Sequence, residues 1–195
     1  MQENKNQSDN VVNLNVDNEK LSFVDPREII KIAEIKPGQK VADFGCGPGY
    51  FSLPAAEAVG EGGMVYAFDV LPSALEAIAG RVKIKNIDNV IIRRVNLEKE
   101  NGTGLENDSI DWVILKDVLF QNKNKNSILK EAKRILKSGG NVLIMEWNEN
   151  IFIGPEKKVR VSKEELTEVV FDEGFVFKKQ TNAGDYHYIV IASKV

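Results

Sequence analysis

The 195-residue chain has one cysteine and one histidine, and only 8% of its residues are aromatic. A single cysteine, Cys46, excludes an intrachain disulfide. With a single histidine, His187, it also argues against a structural zinc site, so no metal is expected. No apolar run approaches the length of a membrane span. The first ten residues, MQENKNQSDN, lack the apolar centre of a signal peptide. A basic excess is also missing. The formal net charge is −3, which argues against general nucleic-acid binding. A protein of the reducing cytoplasm is expected.

The length suits one domain, and a hydrophobic content of 43% suits a globular core. Residues 1–18 are polar and asparagine-rich and read as a mobile tail, leaving a single domain over residues 19–195. From Asp25 onward, helix and strand signals alternate. Asp25-Pro26 opens a helix that Pro37-Gly38 closes. KVADF is strand one, and a helix follows to about Val59, with Pro54 expected to kink it or confine its regular part. MVYAFD, NVIIRRV, IDWVILK and NVLIMEW are the next strands. Asn126 and Ser127 are expected to cap the helix ILKEAKRILK, and Gly139-Gly140 to end it. Ser162 and Glu165 form a capping box ahead of a helix over Lys163 to Glu173. FVFKKQ and YHYIVIAS read as a hairpin around TNAGD.

Strands separated by helices pair in parallel. Apolar strands fit a sheet covered on both faces. The expected fold is therefore α/β, a three-layer, Rossmann-like, doubly wound sheet whose final hairpin makes one strand antiparallel.

Ligands of such sheets bind beyond the carboxyl ends of the strands. There the sequence places VADFGCGPGYFS, with Gly45, Gly47 and Gly49 at alternate positions. Glycine permits positive φ and close approach of a ligand. A dinucleotide fingerprint, G-x-G-x-x-G, would need glycine where Tyr50 stands. The spacing therefore counts against NAD. Asp69 closes strand two, where an acid can take both ribose hydroxyls or cap the following helix.

These residues resemble the first motif of class I S-adenosylmethionine-dependent methyltransferases, an acidic residue followed by G-x-G-x-G. VGEGGMVYAFDVLPSAL resembles their second strand, SIDWVILKDVL their fourth, and KEAKRILKSGGNVLIMEW their helix–Gly-Gly–strand signature. The likeness spans about Asp25 to Val195. It is strongest to the small type 11, quinone-biosynthesis-like group.

The resemblance implies about seven strands, the last antiparallel. It implies S-adenosylmethionine as cofactor, S-adenosylhomocysteine as product and a small-molecule acceptor. It places the Gly45–Gly49 backbone, including Cys46, against the methionine part. Asp43 orients the loop, Asp69 takes the ribose, and Val70 and Leu71 pack on the adenine. Asn96 and Leu97 border the adenine edge, and the Lys116 backbone lies near the methionine amine.

Candidates for acceptor chemistry are Glu146, His187 and Tyr186. In strand alternation Tyr186 and Tyr188 share one face and His187 takes the other. Lys157, Lys158 and Arg160 read as a basic loop, solvated in preference to meeting an anionic substrate, and the lysines of 123–137 as the wet face of a helix. The other function consistent with the residues is a cofactor-binding protein without transferase activity, serving as a sensor or partner subunit.

Overall fold

Seven strands form one sheet in the order β3-β2-β1-β4-β5-β7-β6. The structure is a computed structural model, and it describes residues 23–195. The expected tail over residues 1–18 lies outside the described residues. In chain order the elements are α1 (Pro26–Ile32), β1 (Lys40–Phe44), α2 (Ser52–Val59), β2 (Met64–Asp69), α3 (Pro72–Lys85), β3 (Val90–Arg94) and β4 (Ile110–Lys116). There follow α4 (Lys125–Ile135), β5 (Leu136–Trp147), α5 (Lys163–Asp172), β6 (Phe175–Ala183) and β7 (His187–Lys194).

The first five strands pair in parallel, and β7 runs antiparallel to both β5 and β6. The chain moves outward from β1 to β2 and β3, then returns to place β4 on the other side of β1. That reversal opens a crevice at the carboxyl ends of β1 and β4.

Alternation along the strands makes two cores. On one face Ala42, Phe44, Val113, Leu115, Ile144 and Tyr188 meet Leu129, Ala132, Leu166 and Val170 of α4 and α5. On the other, Val41, Val65, Ile114, Leu143 and Ile189 meet Ile29, Ala55 and Val59 of α1 and α2. The expected three layers result, and the near-continuous apolar strands reflect cover on both faces.

Three local readings need correction, and a fourth holds in its second form. Pro54 confines the regular part of α2, which begins only at Ser52. It is the third helical residue, where a missing N–H costs no intrahelical bond. Helix α1 stops at Ile32, ahead of Pro37, because Glu34 turns left-handed with φ 57°. The cap of α4 is Asn124, whose side chain accepts the Ser127 N–H. That helix ends at Ile135, and Gly139-Gly140 serves a register shift early in β5 instead. A Cβ at Gly140 would lie 2.9 Å from the Lys137 carbonyl oxygen.

The hairpin also differs. Strand β6 runs on through Ala183, so Gly184 to Tyr186 alone make the turn. Tyr186 therefore precedes β7, strand alternation does not govern it, and its ring packs on Phe23 with centroids 4.5 Å apart. The lysines near α4 are only partly a wet face. Lys133 donates to the Glu173 carbonyl at 2.8 Å, and Lys137 pairs with Asp111 at 2.7 Å.

Candidate active site

A cleft of about 550 Å³ opens at the carboxyl ends of β1, β2 and β4. Of the residues singled out in the sequence, Gly45, Gly47, Asp69, Val70, Leu71, Asn96, Leu97 and Lys116 line it together.

The glycine loop is built by backbone freedom and close packing. Gly45, Gly47 and Gly49 have φ of 70°, 50° and 88°, all in the left-handed region. Their surroundings differ. A Cβ at Gly45 would meet Val118 at 2.7 Å, and one at Gly49 would meet Ile78 of α3 at 2.8 Å. A Cβ at Gly47 would meet nothing within 4 Å. Gly49 thus serves the packing of the loop on α3, while Gly47 presents bare backbone to the cleft.

Asp69 ties this loop to the next crossover. Its Oδ2 accepts the Gly47 N–H and its Oδ1 the Leu71 N–H, each at 2.9 Å. Asp69 does not cap α3, whose N-cap is Leu71 without a side-chain cap bond; its carboxylate fastens the turns after β1 and β2 instead. Val70 and Leu71 follow it, 52% and 58% exposed, and form an apolar shelf on the cleft wall. Asn96 turns its own loop, its Oδ1 accepting the Glu98 N–H at 2.9 Å.

Asp43 and Cys46 lie below the cleft. The Ser52 hydroxyl donates to Asp43 at 2.5 Å, which anchors the first residue of α2. Burial pushes the Asp43 carboxyl up to about 6, against the pull of the Ser52 hydroxyl and amide. The Cys46 thiol packs with Ala67 and Ile78, and burial raises it far above the usual thiol range. It is a small core residue with no nucleophilic character.

The three acceptor-side candidates separate. Glu146 is fully buried and does not stand at the rim. Its Oε1 accepts the Leu119 N–H at 2.8 Å, so it holds the turn Leu119–Gln121 behind the cleft. Burial and the neighbouring Asp117 charge push its carboxyl up to about 8. Tyr186 packs against Phe23 with the rings tilted by 40°.

His187 opens β7, buried, with its ring 4.2 Å from that of Trp147. Its Nε2 is 3.2 Å from Asp117 Oδ1. The contact is close enough for an ion pair but too poorly aligned for a hydrogen bond. Both atoms, with Glu146 Oε2, are buried without a hydrogen-bond partner.

Asp117 is the residue that sequence reasoning passed over. It lines the cleft in a left-handed conformation, φ 57°. Its amide continues the ladder to Met145 O, 2.9 Å away, and its carboxylate also pairs with Lys116. The sole available signal was that Asp tolerates positive φ better than most residues. Gln121 and Asn122 complete this wall.

The basic loop is not an anion site. Arg160 turns inward and donates to the carbonyls of Asn148, Glu149, Ile151, Ile153 and Pro155. Lys158 pairs with Glu156 and Lys157 with Asn150.

A doubly wound sheet with an antiparallel seventh strand, a glycine loop after β1 and an acid ending β2 defines the class I S-adenosylmethionine-dependent methyltransferase fold. Comparison with known proteins agrees. A family profile described as "Methyltransferase domain" matches residues 35–190, and the chain belongs to that family.

It is 31% identical over 130 residues to the demethylmenaquinone methyltransferase of Bacillus mycoides (strain KBAB4), covering 66% of this chain and 53% of that protein. It is 33% identical over 128 residues to the ubiquinone/menaquinone biosynthesis C-methyltransferase UbiE of Haemophilus ducreyi (strain 35000HP / ATCC 700724), covering 65% and 48%. The chain therefore spans about half the length of these curated relatives. A crystal structure of a SAM-dependent methyltransferase from Aquifex aeolicus superposes with a TM-score of 0.82 at 25% identity, covering 89% of this chain and 91% of that one. Among the described residues, no helix is long and apolar enough to cross a membrane.

Proposed function

We propose that the protein transfers a methyl group from S-adenosylmethionine to a small-molecule acceptor, with the cofactor seated in the cleft between β1, β2 and β4. One observation carries this reading. Gly47 offers open space and bare backbone at the topological switch point, while the glycines beside it are closed by packing.

The other walls suit the same group. The cleft volume falls within the ordinary range for small-molecule sites, roughly 300–1,000 Å³. Asp69 uses one lone pair of each oxygen on loop amides, which leaves acceptor capacity for the ribose hydroxyls. Val70 and Leu71 supply an apolar shelf for the base, and Asn96 and Leu97 border its edge. The Gly45–Gly49 backbone, carried over Asp43 and Cys46, and the Lys116 carbonyl flank the amino-acid end. Bound there, S-adenosylmethionine supplies a methyl group already activated on a sulfonium.

The protein's part is to hold the acceptor in line and to exclude water. Positioning of that kind supplies roughly 7–11 kcal/mol in favourable cases. Glu146 serves by fixing the Leu119–Gln121 turn behind the cleft, not by meeting the acceptor. Similarity to quinone-biosynthesis methyltransferases supports a small cyclic acceptor over a macromolecule.

The test is calorimetric titration of the full chain with S-adenosylhomocysteine, with NAD as control. Micromolar binding of the former, worth about 8 kcal/mol, is expected. Binding of NAD in its place would overturn the reading.

A further inference from the structure

The buried polar atoms at the ends of β4, β5 and β7 are out of keeping with the rest of the site. Buried polar groups are nearly always hydrogen-bonded, and exceptions call for an explanation. Here Asp117 Oδ1, His187 Nε2 and Glu146 Oε2 all lack a hydrogen-bond partner. Asp117 and His187 are also held facing each other. Trp147 packs against the imidazole with its ring tilted by 40°, and Asn148 Nδ2 donates to the His187 carbonyl at 3.2 Å. Gln121 Nε2 donates to the Asp117 carbonyl. The Asp117 carboxylate bridges two environments. Its Oδ1 is sealed against His187, while its Oδ2 pairs with Lys116, whose part-exposed side chain belongs to the cleft wall.

We propose that Asp117 is the acceptor-side proton-accepting residue of this methyltransferase and that His187 is its positioning residue. The acceptor is a small molecule whose nucleophile X carries an ionisable proton, such as an enol or phenol. The X–H bond breaks and its electron pair forms the X–methyl bond. The electron pair of the methyl–sulfur bond stays on sulfur. The proton ends on the Asp117 carboxylate, which His187 Nε2 holds from behind and Lys116 flanks at the cleft. The present misalignment fits a catalytic pair, because such bonds often tighten only in the complete complex. A strained left-handed backbone at Asp117 is also typical of functional positions.

The titratable and charged groups around the pair are Lys116 from β4 and Glu146 from β5, with Lys116 also acting on Asp43 of β1. Phe23, packed on Tyr186, brings no charge.

The inference rests on the cofactor reading above, and its test separates the two. S-adenosylmethionine carries a positive sulfonium that S-adenosylhomocysteine lacks. Calorimetry of the full chain with each ligand reads the cofactor site, and the imidazole of His187 reads the pair.

His187 is the chain's single histidine, so nitrogen-15 spectra of the imidazole report this pair alone. Its ring signals should differ between the two ligands and change in Asp117→Asn. Failure of both ligands to bind would remove the cofactor reading. Binding of both with identical imidazole signals would overturn the pair, and so would imidazole signals left unchanged in Asp117→Asn.

Discussion

Asp69 Oδ2 accepts the Gly47 N–H at 2.9 Å, so the end of β2 holds the loop that follows β1. The carboxylate invoked for the cofactor is thus also a fastening of the glycine loop. Binding and loop order cannot be separated by deleting it, but they can be graded.

Asp69→Ala removes the acceptor for both Gly47 and Leu71 as well as the proposed ribose partner. S-adenosylhomocysteine affinity should fall at least tenfold, or about 1.4 kcal/mol. Asp69→Asn keeps one acceptor oxygen and should lose less. Calorimetry beside circular dichroism checks both. Unchanged affinity in the alanine variant, with the fold intact, would remove Asp69 from the site.

Gly47 and Gly49 should fail in different ways. Both are left-handed, which costs a side chain about 1–2 kcal/mol. Gly49→Ala adds a contact at 2.8 Å to Ile78, so it should lower the denaturation midpoint most. Gly47→Val meets open space, so its main effect should be lost cofactor affinity in a folded protein. Urea denaturation and ligand titration on both variants separate these outcomes. Equal losses of both kinds would show that the two glycines do not divide the tasks.

The parallel strands were legible because burial on both faces leaves near-continuous apolar runs such as VILK and VLIM. KVADF, MVYAFD and IDWVILK match β1, β2 and β4 residue for residue. That Gly45, Gly47 and Asp69 share one cleft was legible because glycines and a strand-ending acid act through backbone position, which follows directly from chain order. Helix ends were less legible, since Asn124, Asn126 and Ser127 are all plausible caps and only tertiary packing selects one. Least legible was the meeting of Asp117 with His187. The residues lie 70 positions apart and touch only because β7 inserts antiparallel beside β5. No local pattern encodes that pairing. Arg160 misled for a related reason, because a charged loop residue reads as solvated until its five carbonyl partners close around it.

Arg160→Ala should therefore act on stability. It leaves the carbonyls of residues 148–155 to find water and should cost about 1–3 kcal/mol in urea denaturation. Lys157→Ala and Lys158→Ala, at exposed pairs, should be nearly silent. A silent Arg160→Ala would mean that the loop is held by other contacts, such as Gly154 against the Trp147 ring.

Glu146 should make stability depend on pH. Burial raises its carboxyl from 4.5 to about 8, with the Asp117 charge adding to the effect and the Leu119 and Phe120 amides opposing it. The folded chain then keeps a proton that the unfolded chain gives up. Stability from this source is complete below about 4.5 and is lost as pH rises through about 8. Asp43 acts with the same sign over a lower window, between 3.8 and about 6. Between pH 6 and 8 the slope should therefore belong mainly to Glu146. Urea denaturation of the wild type should show stability falling across that interval. Glu146→Gln keeps a carbonyl oxygen for the Leu119 N–H and cannot ionise, so the fall should flatten. An equally steep fall in Glu146→Gln would mean that Glu146 does not set it, and would return the carboxyl to an ordinary ionised state behind the cleft.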